Sequence, residues 1–167
     1  NLIKMKNSLT KKLFYFLALF TMSFSFAQEE DVEDFESAPD VVIDMDFNKS
    51  IYPESEGNAY FSNEPKAALI GMVVPKKYSE LIAEMKKESP EGIKNLKTGE
   101  FDNAGKKVFF YTGNITVEND VEIFMEVLVK HSNENECIVI TSMYQPSVKE
   151  KFGKEAKRAI ISAKVIE

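Results

Sequence analysis

Between Lys94 and Tyr144 the chain alternates and turns in a way that admits an antiparallel sheet and little else. Four extended runs, Lys94–Phe101, Lys106–Val117, Val121–His131 and Glu136–Tyr144, are separated only by short polar segments. Those segments are Asp102-Asn103-Ala104-Gly105, Glu118-Asn119-Asp120 and Ser132-Asn133-Glu134-Asn135. Connections this short close hairpins, whereas parallel neighbours need a crossover of a dozen or more residues. The third run shows the strand period most clearly, with Val121, Ile123, Met125, Val127 and Val129 set against Glu122, Phe124, Glu126, Leu128 and Lys130. Phe109, Tyr111, Phe124 and Leu128 put large apolar groups on the outward register too, so both sheet faces are expected to be covered in part.

Upstream, Ile43, Met45 and Phe47 alternate with Asp44, Asp46 and Asn48, which predicts a strand over Val41–Phe47. Ser50–Lys66 is rich in turn formers and fits weak strands or an irregular loop equally well. Ala67–Val74 is short and apolar. After it, Tyr78, Leu81, Ile82 and Met85 stand at i, i+3, i+4 and i+7, the helical period. Pro75 suits a first helical position and Ser89-Pro90 a stop. A closing helix is expected from Pro146-Ser147, with Ser147 as N-cap and Glu150 completing a capping box. Its packing stripe is Val148, Phe152, Ala156, Ala159, Ile160 and Ala163. The fold class is therefore α+β: an antiparallel sheet, made of a four-strand C-terminal meander plus N-terminal strands, packed with two helices.

Three stretches of the chain together resemble a known arrangement: the helix V-P-K-K-Y-S-E-L-I-A-E-M (Val74–Met85), the turn region G-E-F-D-N-A-G-K-K-V-F-F (Gly99–Phe110), and the helix from Ser147. Over about 100 residues this order looks like the PsbP-like fold, which includes the photosystem II extrinsic subunit and exported bacterial relatives such as the DcrB group. The resemblance implies a non-enzymatic accessory or binding domain, and it transfers no functional residue.

The N-terminus reads as an address. Lys6, Lys11 and Lys12 precede the apolar run Leu13–Met22, and Ser25-Phe26-Ala27 supplies a small-x-small cleavage site. The apolar stretch is short of the roughly 20 residues needed to span a bilayer. A secretory signal peptide over residues 5–27 is expected, with no stable membrane insertion after cleavage. Its Phe-rich core followed by F-A-Q resembles export signals of Bacteroidetes-type bacteria. Residues 28–40 (QEEDVEDFESAPD) follow as an acidic linker, and residues 41–167 as a single α+β domain. The expected location is exported, periplasmic or secreted. Losing Lys4, Lys6, Lys11 and Lys12 with the signal takes the net charge from −6 to −10. With Arg158 as the only arginine, that charge argues against nucleic acid as a partner.

No residue pattern amounts to a catalytic, cofactor or metal site. Cys137 is the sole cysteine and sits in an apolar strand run, where an inert buried thiol is the expectation. His131 is the sole histidine, at a strand end beside a polar turn, with no G-x-S-x-G in the chain. Asp44, Asp46 and Asn48 imitate the start of a calcium loop, but Lys49 and Ser55 stand where that loop needs Gly and Glu. The lysines of the closing helix (Lys149, Lys151, Lys154 and Lys157, with Arg158) read as a solvated face. Glu122 and Glu126 share a strand face around Phe124 and leave a carboxylate-dependent hydrolase as a minor alternative. The leading expectation is a non-catalytic exported binding domain acting on a protein partner of the bacterial cell envelope. The main alternative, resting on 13 Phe and 6 Tyr, is a carrier of a small apolar ligand.

Overall fold

The computed structural model describes residues 41–87, 92–117 and 121–166. The signal peptide, the acidic linker, Ser89-Pro90 and the turn Glu118–Asp120 lie outside these residues. Nine strands and two α-helices are described: β1 (Val42–Asp44), β2 (Glu54–Glu56), β3 (Ala59–Ser62), β4 (Ala67–Val74), α1 (Tyr78–Lys87), β5 (Lys94–Asn103), β6 (Lys106–Val117), β7 (Val121–Asn133), β8 (Glu136–Tyr144), α2 (Lys149–Ser162) and β9 (Lys164–Ile166). Seven strands form one sheet in the order β2-β3-β4-β8-β7-β6-β5, every neighbouring pair antiparallel. The expected meander is its right half. The open stretch Ser50–Lys66 holds the β2–β3 hairpin, and β4 closes the sheet by pairing with β8.

Three expectations need correcting. The first strand is shorter than Val41–Phe47 and does not join the main sheet. It pairs instead with β9, a C-terminal strand that carries too few residues to show a period. Ile43, Met45 and Phe47 are buried all the same, so the alternation marked a packing face longer than the hydrogen-bonded strand. Helix α1 starts at Tyr78, three residues after Pro75, because the Lys76 N–H bonds back to the Val74 carbonyl at 2.8 Å. Helix α2 starts at Lys149, and Ser147 does not cap it. Pro146 opens a 3-10 turn over Pro146–Val148, which takes Ser147 into its interior.

The two helices lie on opposite sheet faces. Tyr78 of α1 stacks on His131 with ring centroids 4.4 Å apart, and Lys86 lies over Phe109. Tyr78, Leu81, Ile82 and Met85 are the buried residues of α1, as their spacing requires. Across the sheet, Phe152, Ala156, Ala159, Ile160 and Ala163 of the α2 segment pack with Leu69, Phe124, Leu128, Ile138, Ile140 and Tyr144. Both faces of β7 and β8 are buried, which explains the large apolar groups on both registers.

Candidate functional site

Register places one polar row across the middle of the face beneath α2. Ser142 stands opposite both Leu69 and Glu126, Glu126 opposite Thr112, and Thr112 opposite Lys97. Directly opposed residues in an antiparallel sheet project to the same side. The row therefore runs from the buried Ser142 to the exposed Lys97 at the sheet edge. The rows on either side are largely apolar, with Tyr144 and Phe124 on one and Ile140, Leu128 and Phe110 on the other.

Glu126 is the exceptional member. It is 7% exposed, and its Oε2 has no hydrogen-bond partner. A buried acceptor left unmade costs about 1–3 kcal/mol. Burial pushes its carboxyl above the ordinary range, while Lys157, Lys149 and the neighbouring Tyr144 hydroxyl pull the other way. The Tyr144 phenol is in turn held above its ordinary range by burial and then by Glu126. Tyr52, whose hydroxyl is also unpartnered, packs beside them edge-on to Phe152 at 5.3 Å.

The helix is cut away where these groups meet it. Gly153 lies inside α2, where glycine costs about 1 kcal/mol relative to alanine. A Cβ there would stand 2.8 Å from the Tyr144 hydroxyl and 3.8 Å from Glu126 Oε2. Glycine is tolerated because Tyr144 occupies that space. Lys149 and Lys157 stand one turn to either side of Gly153 on the same helix stripe, both exposed. The Lys149 amine lies 3.8 Å from the centre of the Phe124 ring. Sequence reading missed this grouping. Its signals were a single Gly inside an otherwise helical run and a Glu set between Phe124 and Leu128 on one strand face.

The other candidates are drawn into structural roles. Glu122 is exposed and accepts from Asn114 Nδ2 at 2.7 Å, while Glu126 is buried. Four residues along one strand separate them by about 13 Å, beyond the roughly 5–9.5 Å that glycoside hydrolysis uses. Cys137 is fully buried, its Sγ donates to the Lys76 carbonyl, and burial pushes the thiol up to about 11. A thiol so placed should resist iodoacetamide near pH 8 in the native protein and react fully in urea; comparable native labelling would show it is accessible. His131 is exposed, paired with Cys137 across β7–β8 and stacked on Tyr78. Asp46 binds Arg158 at 3.0 Å, Asn48 caps the turn at Ser50, and Asp44 opposes Lys164. These side chains therefore do not converge on an ion. Among the described residues, no group of three or more His, Cys, Asp or Glu side chains could hold a metal ion.

No family model matches the chain, and no curated protein matches it either. Solved structures do. A protein of unknown function from Pseudomonas aeruginosa, PA94, aligns at 13% identity over 80% of this chain and 92% of its own, with a TM-score of 0.46. LpqN of Mycobacterium tuberculosis, described as involved in cell envelope biogenesis, aligns at 9% identity over 87% of this chain and 94% of its own, with a TM-score of 0.51. At that identity the likeness to LpqN is one of fold: the chain is an α+β protein of the same general architecture.

Proposed function

We propose that the chain is an exported, non-catalytic accessory or binding domain of the bacterial cell envelope that works through a protein partner. In this reading residues 5–27 are a cleaved signal, 28–40 an acidic linker and 41–167 a single domain of PsbP-like or DcrB-like type. The observation that carries it is β5. This ten-residue strand ends the seven-stranded sheet with only β6 as its described neighbour, and its side chains are mostly exposed. A long edge strand offers a row of backbone donors and acceptors to an incoming extended segment. The irregular register between Lys94 and Lys97 and the positive φ of Asn95 blunt only its first turn, leaving Lys97–Asn103 in regular pairing with β6. LpqN's link to envelope biogenesis and the shared fold support the same class of role. Among the described residues, no helix is long and apolar enough to cross a membrane.

The test is site-specific photo-crosslinking in cells of the source organism. A crosslinker at Thr98 on β5 should capture a defined protein that one at Ser55 on β2, the opposite edge, does not. Capture at Ser55 alone, or at neither position, overturns the β5 reading.

A further inference from the structure

The side chains along β5 narrow down what kind of segment fits that edge. Gly99 stands in the middle of the strand, and a Cβ there would lie 2.7 Å from the Phe110 ring. Glycine therefore lets Phe110, its partner on β6, lay the far end of its ring over the edge strand. Phe101 lies beside it with ring centroids 6.5 Å apart, and both rings are half-buried. The sheet thus ends in an aromatic shelf on the α2 face. The net negative charge of the chain is not concentrated here, because β5 carries Lys94 and Lys97 as well as Glu100 and Asp102.

We propose, resting on the β5 reading, that the segment β5 binds is β5 of a second copy of this chain, antiparallel, about a two-fold axis at Gly99. An axis normal to the sheet keeps α2 of both copies on one face and joins the two seven-stranded sheets edge to edge. Charge chooses the register. The widest overlap of the regular stretch Lys97–Asn103 centres on Glu100 and sets two like charges directly opposite each other. Moving the centre by one residue, to Gly99, removes that clash. Gly99 then meets the partner's Gly99, Thr98 meets the partner's Glu100, and Lys97 meets the partner's Phe101. Opposed residues share a face, so the two Phe110 rings, each over its own Gly99, come together on the α2 side. There the stem of Lys97 covers the partner's Phe101. A foreign segment would have to supply this pattern, whereas a second copy carries it by symmetry. The other edge cannot pair in this way. β2 is three residues long, and centring it on Ser55 sets Glu54 against the partner's Glu56 twice.

Sedimentation velocity of the purified protein over a range of concentrations tests the association, and substitutions at Thr98 test the register. Thr98 is exposed, and a charge placed there acts twice in the dimer, once against each Glu100. Thr98→Lys should tighten the dimer by about threefold or more, and Thr98→Asp should weaken it by about the same factor. Disulfide trapping is the second measurement, with Thr98→Cys protein mixed with Glu100→Cys protein under mild oxidation. Opposed Cα atoms stand about 4.5–5.5 Å apart, inside the roughly 4.4–6.8 Å that a disulfide spans. The native Cys137 is fully buried and stays out of the reaction. The mixed pair should cross-link far faster than Thr98→Cys mixed with Ser55→Cys, whose cysteine lies on β2. A protein that stays monomeric up to about 1 mM overturns the proposal. So does a dimer that responds alike to both charges at Thr98, or a mixed pair that cross-links no faster than the Ser55→Cys control. A foreign protein captured at Thr98 in cells, while the purified protein stays monomeric, keeps the β5 reading and overturns this one. Failure of any capture at Thr98 in cells overturns both.

Discussion

Replacing Phe152 by alanine should cost about 3–5 kcal/mol of stability, the usual loss for a fully buried aromatic side chain. Phe152 is 1% exposed and lies in the main apolar cluster. It meets Tyr52 edge-on at 5.3 Å and stacks on Tyr144 at 6.1 Å, so it joins three separate segments. Truncation removes the transfer energy of the ring and leaves a hole that Tyr52 and Tyr144 cannot both close. Neither can swing freely, because Tyr144 is braced against Gly153 and Phe124. Urea titration followed by far-UV circular dichroism should show the midpoint falling with little change in slope. A loss under about 1 kcal/mol would mean that the site collapses around the missing ring. In that event α2 would be held mainly by Ala156, Ala159 and Ile160.

The meander was legible because its signal is local. Hairpin turns and period-2 alternation fix β5–β8 from neighbouring residues alone, and the helical spacing of Tyr78–Met85 and Phe152–Ala163 does the same for the helices. What escaped reading depends on contacts distant in the chain. The pairing of β1 with β9 joins two three-residue strands some 120 positions apart, and the alternation around β1 says nothing of its partner, while β9 is too short to show a period. The pairing of β4 with β8 joins Ala67 to Tyr144, which no local pattern specifies. The start of α2 was misread because Ser147 and Glu150 satisfy a capping pattern that the 3-10 turn at Pro146 pre-empts. The polar row was hidden for the same reason as the strand order. Ser142, Glu126, Thr112 and Lys97 become neighbours only when four strands pair in one register. Glu126 looked like an outward residue of a half-buried strand, and only the placement of α2 over it makes its burial unusual.

Glu126→Gln should stabilise the protein at neutral and alkaline pH and flatten its dependence on pH, with a gain on the order of 1 kcal/mol. The folded protein raises the Glu126 carboxyl above its unfolded value near 4.5. The folded state therefore holds this proton more tightly than the unfolded chain does. Its contribution is fully present below pH 4.5 and is lost as pH rises through the raised folded value. Above that value the native state carries a buried carboxylate, whose burial the neighbouring Tyr144 hydroxyl, Lys157 and Lys149 offset only in part. Glutamine keeps the shape, carries no charge, and removes the whole window. The lysines act in the opposite sense, since Lys157 and Lys149 favour the ionised form. Lys149→Gln/Lys157→Gln should therefore steepen the loss of stability towards high pH, and adding Glu126→Gln should cancel that steepening. Thermal melts of the four proteins from about pH 4 to about pH 9 read all three effects as one double-mutant comparison. Parallel curves for wild type and Glu126→Gln would show that water reaches this carboxyl and that α2 does not seal it.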